Sequence, residues 1–397
     1  VPVYNGFEAL DRCLSALARH RPAESALILV DDASTDARVA PRLEEFAKSQ
    51  PDTQISVSPK NRGYIASANH GASLASADAD LVFLNADTEV ASGWADEMRV
   101  ALDSQPDADV CCPLSNNATI LSVPQFQQDN SLPFDWGVDQ AAAFFRSVAG
   151  DVRAIPIPTP VGFCMWIRRE AWNRWGPFDE AFGRGYGEED DFGQKVIAAG
   201  RFVICAPRAF VYHQGAASFG TGEQLGAERR ANNALLLSRW PQYDARTRAW
   251  CRVNPLRPLH ERIWASLIAP PESRPIHVLH VLRQWQTEGP LRENTIAIVE
   301  ATYGFAIHTV AVPTADRGAW MDAIDFESEQ GLRVIGLIDF ESAFQRFLLA
   351  SPAQVVHFHG PQLLDAARRE RPVLTTPGDT ADPARCRDAY ARIARGA

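Results

Sequence analysis

The stretch Leu27-Ile28-Leu29-Val30-Asp31-Asp32-Ala33-Ser34-Thr35-Asp36 decides how the first half of the chain is read. Its apolar start makes a short buried strand, and the acidic pair closes it. Ser34, Thr35 and Asp36 are good capping types, so a helix follows. In an α/β sheet, carboxylates at the carboxyl ends of strands face the crevice where ligands bind. The pattern recurs. Asp87 closes the run Leu81–Leu84 within Asn85-Ala86-Asp87, and His213 follows the apolar run Ala209–Tyr212. Glu188-Glu189-Asp190-Asp191 follows the glycine-rich stretch Gly183–Gly187. A bare acidic pocket repels phosphate. With a divalent cation it becomes a diphosphate site, and a spare carboxylate can act as a base. The combination points to transfer of a group from a nucleotide diphosphate.

Working outward, apolar spacing predicts helices around Phe7–Leu17, Val39–Phe46, Tyr64–Ala75 and Trp94–Leu102. Strands are expected at Leu27–Val30, Ile55–Val57, Leu81–Leu84 and Asp109–Cys112, a βαβαβαβ series suited to a nucleotide. Six prolines between Pro113 and Pro160 break the alternation, leaving a loop-rich insertion with one helix near Asp139–Val148. Val161–Ile167, Phe202–Cys205 and Phe210–Tyr212 read as strands, and Glu189–Ala199 and Glu223–Trp240 as helices. Trp166, Trp172, Trp175 and Phe178 read mainly as core. Residues 1–250 thus form one α/β domain and residues 251–275, rich in proline, a linker. Alternation restarts over residues 276–397, a second, partial Rossmann-like α/β unit. Its strands are Ile276–Leu282, Ala306–Val312, Leu332–Leu337, Val355–Phe358 and Val373–Thr375, with helices at Arg292–Ala301 and Phe340–Leu349. His357 and His359 alternate on a strand, which fits a metal pair less well than strand-end packing.

The bulk numbers narrow the classes. With 397 residues the chain can hold two domains. A net charge of −10 argues against general nucleic-acid binding. No apolar run is long enough to span a bilayer, and no signal peptide is visible. The chain opens inside a strand at Val1, so an upstream segment is expected. Seven scattered cysteines, an odd number, read as reduced core thiols of a cytoplasmic protein. Of the pair Cys111-Cys112, one is expected in the core and the other against a helix or the cleft.

The residue types suggest roles. A carboxylate of the Asp31-Asp32 pair can accept from a base N–H or ribose hydroxyls, although Ser34 or Asp36 also serves as a cap. Asn85 and Asp87 sit on the same side of a strand end and can face one cation. Oxygen ligands favour Mg²⁺ or Mn²⁺, and Asp87 must carry the charge because Asn85 offers only an amide oxygen. His213 can complete that site or be structural. Successive helical residues fan out by ~100°, so the four acids at 188–191 cannot share one job.

These segments together resemble family 2 glycosyltransferases of the GT-A fold, which implies a nucleotide-diphospho-sugar transferase domain with a Rossmann-like mixed sheet. The likeness is carried by Val1–Asn5, Val30–Asp36, Asn61-Arg62-Gly63-Tyr64 and Leu84–Thr88. It continues through Val161–Met165, Gly176–Asp179, Gly185–Phe192 and Val211-Tyr212-His213, over roughly residues 1–220 in order. Within that family the chain looks like the rhamnosyltransferase-type enzymes of bacterial surface polysaccharide synthesis. The resemblance implies that Pro2, Tyr4 and Asp32 line the base and ribose pocket, with Asn61, Arg62 and Asn85 near the nucleotide. It implies Mn²⁺ or Mg²⁺ on Asp87 and His213, and Glu189 as general base. The family usually has Asp at that position, so Glu188 and Asp191 stay open as the working base. The implied reaction inverts the anomeric carbon of a UDP- or dTDP-sugar, such as rhamnose. The implied acceptor is a glycan or lipid-linked hydroxyl, which would place a cytoplasmic enzyme at the inner face of a membrane.

The second unit resembles the N-terminal half of a GT-B glycosyltransferase, through Ile276–Val281, Gly289 before a helix, and Val355–Gly360. That half would bind acceptor; a small Rossmann-like accessory domain fits as well. Two other functions compete: a sugar-nucleotide nucleotidyltransferase and a non-catalytic nucleotide-sugar-binding scaffold. The first expects a glycine-rich basic loop early in the chain, and residues 3–11 have none.

Overall fold

The computed structural model describes residues 1–215, 223–268, 276–282, 289–302, 306–313, 323–329, 332–337, 355–359, 373–376 and 382–394. The chain divides into two units. The first comprises residues 1–146 and 156–245, the second residues 147–155 and 246–397.

The first unit begins with β1 (Pro2–Val3), α1 (Phe7–His20), β2 (Leu27–Asp31), α2 (Val39–Ser49) and β3 (Thr53–Val57). The three strands pair in parallel in the order β1-β2-β3. Leu10, Leu14 and Leu17 of α1 are fully or almost fully buried, as are Leu43 and Phe46 of α2. The helical spacing of these side chains is what seats both helices. Then come α3 (Tyr64–Leu74), β4 (Leu81–Leu84), β5 (Thr88–Val90), α4 (Trp94–Ser104) and β6 (Ala108–Leu114). After the proline-rich insertion with α5 (Val138–Ala149) and β7 (Ile155–Pro156) follow β8 (Cys164–Ile167), α6 (Arg169–Trp175), α7 (Glu188–Ala198), β9 (Phe202–His213) and α8 (Glu223–Arg239).

The βαβαβαβ series is divided between two sheets, the second of them mixed as expected. β4 leaves the first sheet and pairs antiparallel with β8, in a second sheet of order β4-β8-β6-β9-β5. Within it β6 and β9 run parallel, while β5 runs antiparallel to β9. A buried apolar strand reads the same in either direction, so residue pattern could not choose its partner. The two strands read at 202–205 and 210–212 are one strand whose register shifts opposite Pro113 and Leu114. An aromatic group of Phe83, Trp172, Phe178 and Phe192, with ring centroids 4.9–5.9 Å apart, ties β4 and α6 to α7. Such pairs contribute about 0.5–1.5 kcal/mol each beyond area burial, and here they fix the start of α7 against the sheet. Cys111 and Cys112 are both fully buried, so neither faces open cleft.

The second unit contains α10 (Arg257–Ile268), preceded by α9 (Tyr243–Val253), which begins in the first unit. The expected linker is therefore largely helical over its described part. Trp250, Leu256, Leu259 and Ile263 are buried there, and Pro255 and Pro258 sit beside or at the start of α10, where a missing N–H costs little. Next come β10 (Ile276–Val281), α11 (Pro290–Ala301), β11 (Ala306–Pro313), β12 (Ala323–Glu329), β13 (Leu332–Leu337), β14 (Val355–His359), β15 (Val373–Thr376) and α12 (Pro383–Ala394). The sheet order is β12-β13-β11-β10-β14-β15, parallel except for β12. Leaving out the edge hairpin strand β12, this is the Rossmann order with β10 at the switch point. The helix read at 340–349 lies outside the described residues. His357 is fully buried and its Nδ1 lies 2.6 Å from the Tyr390 hydroxyl. Beside it, His280 Nε2 meets His308 Nδ1 at 2.8 Å, and His308 Nε2 meets Thr302 Oγ1 at 2.8 Å. His357 is thus part of a packed polar layer between strands, not of a metal pair. Among the described residues, no helix is long and apolar enough to cross a membrane.

Candidate active site

The loops after β1 and β2 clasp each other. Asn5, in a left-handed conformation, accepts through Oδ1 from the backbone N–H groups of Thr35 and Asp36, at 2.8 and 3.0 Å. Asp31 accepts from the Ser34 N–H at 2.9 Å. Asp32 is buried, and its two oxygens accept from Arg62 N–H at 2.9 and 3.0 Å and Gly63 N–H at 2.7 Å. The carboxylate expected to reach a base therefore holds the Asn61-Arg62-Gly63 turn in place. Pro2, Tyr4 and Asn61 are partly open and Arg62 is exposed beside it. Asp32→Ala would strand buried backbone donors, at a cost on the order of 2 kcal/mol. A lowered urea midpoint with unchanged slope is the expected result.

The Gly63 turn is tight against the opposite loop. At φ +92°, a Cβ on Gly63 would lie 2.8 Å from Arg184 Cα. Tyr64 N–H donates to the Arg184 carbonyl at 2.9 Å, and the Arg184 guanidinium donates to Asn61 Oδ1. Tyr64 Oη is buried without a hydrogen-bond partner. Burial first, then the charges of Glu188 and Glu189, raises its pKa well above that of a free phenol.

Asp87 and His213, separated by 126 residues in sequence, meet. The antiparallel pairing of β5 with β9 sets Thr88 opposite His213 and brings His213 Nε2 to 3.5 Å from Asp87 Oδ1. Phe163 stacks on the imidazole at 5.2 Å. The other ring nitrogen, Nδ1, lies 2.7 Å from the Asn117 carbonyl. A carbonyl only accepts, so Nδ1 carries the hydrogen. Neutral His213 therefore aims the Nε2 lone pair at a carboxylate, an arrangement that needs a proton or a cation to hold it. Burial alone lowers the imidazole pKa, but the hydrogen bond and charge of Asp87 outweigh it and the net shift is upward. A backbone carbonyl orienting the distal N–H is the usual support of a metal-bound histidine. A nitrogen and an oxygen 3.5 Å apart fit the coordination shell of Mn²⁺ or Mg²⁺. No group of three or more His, Cys, Asp or Glu side chains suited to a metal occurs among the described residues. Among the described residues, this pair would therefore hold a cation together with outside ligands such as diphosphate oxygens and water.

The strand entering β8 links this pair to the acidic turn. Asn85 N–H donates to the Phe163 carbonyl at 2.9 Å, and next to Phe163 a Cβ on Gly162 would lie 3.3 Å from Glu189 Oε1. The four acids of the turn separate as their helical spread requires. Asp191, almost fully buried, accepts from Trp240 Nε1 at 2.9 Å and Arg239 at 3.2 Å, with Lys195 Nζ 2.8 Å from its other oxygen. Asp190 accepts from Thr159 and Tyr243 hydroxyls. Asp191, one of the candidate bases, is thereby occupied in holding α7 to α8. Glu188 is 4% exposed, and burial, then Glu189, pushes its pKa well up. Glu189 is partly open and accepts from Gly187 N–H at 3.1 Å. Burial in the surrounding protein, then the Asp190 charge, raises it to about 7. Glu188 and Glu189 act as a pair that favours one shared proton, with the more open Glu189 ionising first.

Sequence reading missed the supports Asn116, which accepts from His213 N–H at 2.8 Å, and Asn117. The Asn116-Asn117 pair carries no distinguishing spacing; only the fold shows which side of His213 it meets.

The first unit thus brings together α/β sheets, a carboxylate–imidazole pair and, on α7, a carboxylate whose pKa is held up to about 7. Residues 1–176 match the model of Glycosyl transferase family 2, and with its curated relatives this makes the chain a glycosyltransferase. It is similar to the N-acetylglucosaminyl-diphospho-decaprenol L-rhamnosyltransferase of Mycobacterium tuberculosis (strain ATCC 25618 / H37Rv), 24% identical over 252 residues. That alignment covers 58% of this chain and 80% of the relative. Among solved structures it is similar to GalNAc-T7 with UDP, GalNAc and Mn²⁺, at TM-score 0.49 and 17% identity, over 65% of this chain and 51% of the other. The chain thus spans about half the length of that protein. The mannosyltransferase PcManGT of Pyrobaculum calidifontis, with GDP-Man and Mn²⁺, matches at TM-score 0.43 and 17% identity over 68% and 74% of the two chains.

Proposed function

We propose that the first unit moves a sugar from a UDP- or dTDP-linked donor, rhamnose in particular, to a hydroxyl of a glycan or lipid-linked acceptor, with inversion, in surface polysaccharide synthesis. The observation that carries this reading is the Asp87–His213 pair with its fixed tautomer. The name of the mycobacterial relative supports the rhamnose and lipid-diphosphate assignments. Pro2, Tyr4, Asn61, Arg62 and Asn85 would surround the nucleotide, and Asp32 would shape that pocket through the 61–63 turn. Asp87 and His213 would hold Mn²⁺ or Mg²⁺. Once bound, the cation offsets charge growing on the leaving diphosphate. Glu189 takes the acceptor hydroxyl proton as its oxygen attacks the anomeric carbon, and the bond to the diphosphate oxygen breaks on the opposite side. Work at a lipid-linked acceptor would place the enzyme at the inner face of a membrane. The mostly parallel sheet of the second unit supports an accessory Rossmann-like role, with acceptor binding as its proposed use.

The test is release of dTDP from dTDP-rhamnose, and of UDP from UDP-hexoses, by the full chain with Mn²⁺, with EDTA, and with Mn²⁺ restored. Release that vanishes with EDTA and returns with Mn²⁺ is expected. Nucleotide binding without turnover, on any of a panel of glycan and lipid-diphosphate acceptors, would favour the scaffold reading instead.

A further inference from the structure

The peptide between Tyr186 and Gly187 faces two ways. Its N–H donates to Glu189 Oε2 at 3.1 Å, and its carbonyl accepts from Asn232 Nδ2 at 2.9 Å. The same Nδ2 lies 2.8 Å from the Phe182 carbonyl and 2.9 Å from that of Gly185. Three carbonyls converge on one group, so only the amide NH₂ fits there, with one hydrogen shared. The turn needs this support. Gly183, Gly185, Tyr186 and Gly187 all have positive φ, at 68°, 148°, 72° and 104°. Tyr186 has a Cβ and pays a steric cost for that conformation. Glycines on either side leave the peptide free to rotate unless its carbonyl is held. Arg229, one helical turn before Asn232, lies over the Tyr186 ring at 4.0 Å and grips the same residue from outside. Asn232 and Arg229 lie on α8, beyond the residues 1–176 matched by the family model.

We propose that Asn232 is a positioning residue for the base: by holding the Tyr186 carbonyl it keeps the Gly187 N–H turned toward Glu189. This rests on the reading of Glu189 as the base. The groups that act on Glu189 are Glu188 and Asp190 of α7, Tyr64 of α3, Cys112 of β6 and Tyr243 of α9. The Gly187 hydrogen bond is among the contacts that lower the Glu189 pKa against burial. Losing it would raise the pH at which the base ionises and loosen its aim.

The experiment compares the full-length wild type with Asn232→Ala and with the isosteric Asn232→Asp, whose ionised side chain has no hydrogen to donate. dTDP release from dTDP-rhamnose with Mn²⁺ is followed as a function of pH. The expected result for each folded variant is a fall in kcat of at least tenfold, a donor KM within twofold of wild type, and an acid limb displaced upward by at least half a pH unit. A folded variant that keeps the wild-type kcat and acid limb overturns the proposal. Hydrogen exchange in the unmodified chain gives a reading independent of variant folding. Gly187 N–H should exchange at least tenfold more slowly than in an unstructured peptide, and exchange at the unstructured rate overturns the proposal. Glu189→Gln separates the two failures. If it retains full turnover, the base assignment falls; if it is inactive while the Asn232 variants are normal, only the role of Asn232 falls.

Discussion

Asp87→Asn should cut metal-dependent turnover by about a thousandfold, with little change in thermal stability. The variant keeps the size and one oxygen of the side chain but removes its charge. Asn85 already supplies only an amide, so His213 would be left as the one charged or strongly basic donor of the pair. A cation offsetting charge on a departing diphosphate is worth several kcal/mol, and about 4 kcal/mol corresponds to about a thousandfold in rate. His213→Ala, which keeps the carboxylate, should cost less. A rival account gives Asp87 a purely local task, keeping His213 protonated, since its hydrogen bond and charge raise the imidazole pKa. That account predicts wild-type turnover unchanged by EDTA. It also predicts a variant whose residual rate ignores Mn²⁺ concentration. The cation reading predicts that wild type is silenced by EDTA, and that Asp87→Asn regains part of its rate only as Mn²⁺ rises into the millimolar range. Fold stability should hold because the imidazole keeps its Asn117 carbonyl and its Phe163 stacking partner.

The strand ends were legible because they obey local rules. An apolar run followed by acids and a cap marks Leu27–Asp36, and the structure puts β2 and its loop there. Pairing was not legible. Nothing local says that β4 deserts β3 for β8, or that Thr88–Val90 is a strand, because both depend on partners far along the chain. In the 251–275 segment prolines read as breaks around an amphipathic piece at Ile263, Trp264, Leu267 and Ile268, which is the end of α10; Pro258 falls in the first turn of that helix, where a proline is tolerated. Buried Leu259 and Ile263 then supply the apolar face.

For the candidate site, residue type picked out the side chains but not their partners. Asp87 and His213 came from separate segments, and only the β5–β9 pairing makes them neighbours. The cluster 188–191 showed four equivalent acids. Their division follows from side-chain partners on other elements: Lys195, Arg239 and Trp240 for Asp191, and Thr159 and Tyr243 for Asp190. Asp32 shows the limit of motif reading. An acid at a strand end reads as a ligand-facing carboxylate, but its oxygens go to backbone donors that no residue pattern announces.

Glu189→Gln should lower kcat by about 10²–10⁴-fold, the usual share of a general base, while making the protein more stable at pH 8. The two effects have one cause. Burial and the Asp190 charge hold the Glu189 pKa up to about 7, against an ordinary glutamate value of 4.5. Near neutrality such a carboxylate is partly ionised yet basic enough to take a hydroxyl proton, which is what the reaction needs. Wild-type rate should therefore climb with pH below about 7 and level above it. His213 protonation adds to the same acid limb, since a proton on Nε2 competes with the cation. Saturating Mn²⁺ should shift that part and leave the part due to Glu189. The stability sign follows from proton counting. Between the unfolded value near 4.5 and the folded value near 7, the native state binds more protons, so stability is lost as pH rises through that window. Glutamine never ionises and escapes the loss, while its carbonyl still accepts from Gly187 N–H. The gain at pH 8 should be on the order of 2 kcal/mol, fading to nothing near pH 4. Thermal melts at the two pH values check it. A variant that is inactive but no more stable at pH 8 than at pH 4, relative to wild type, would mean that Glu189 ionises without strain and that its basicity has another source.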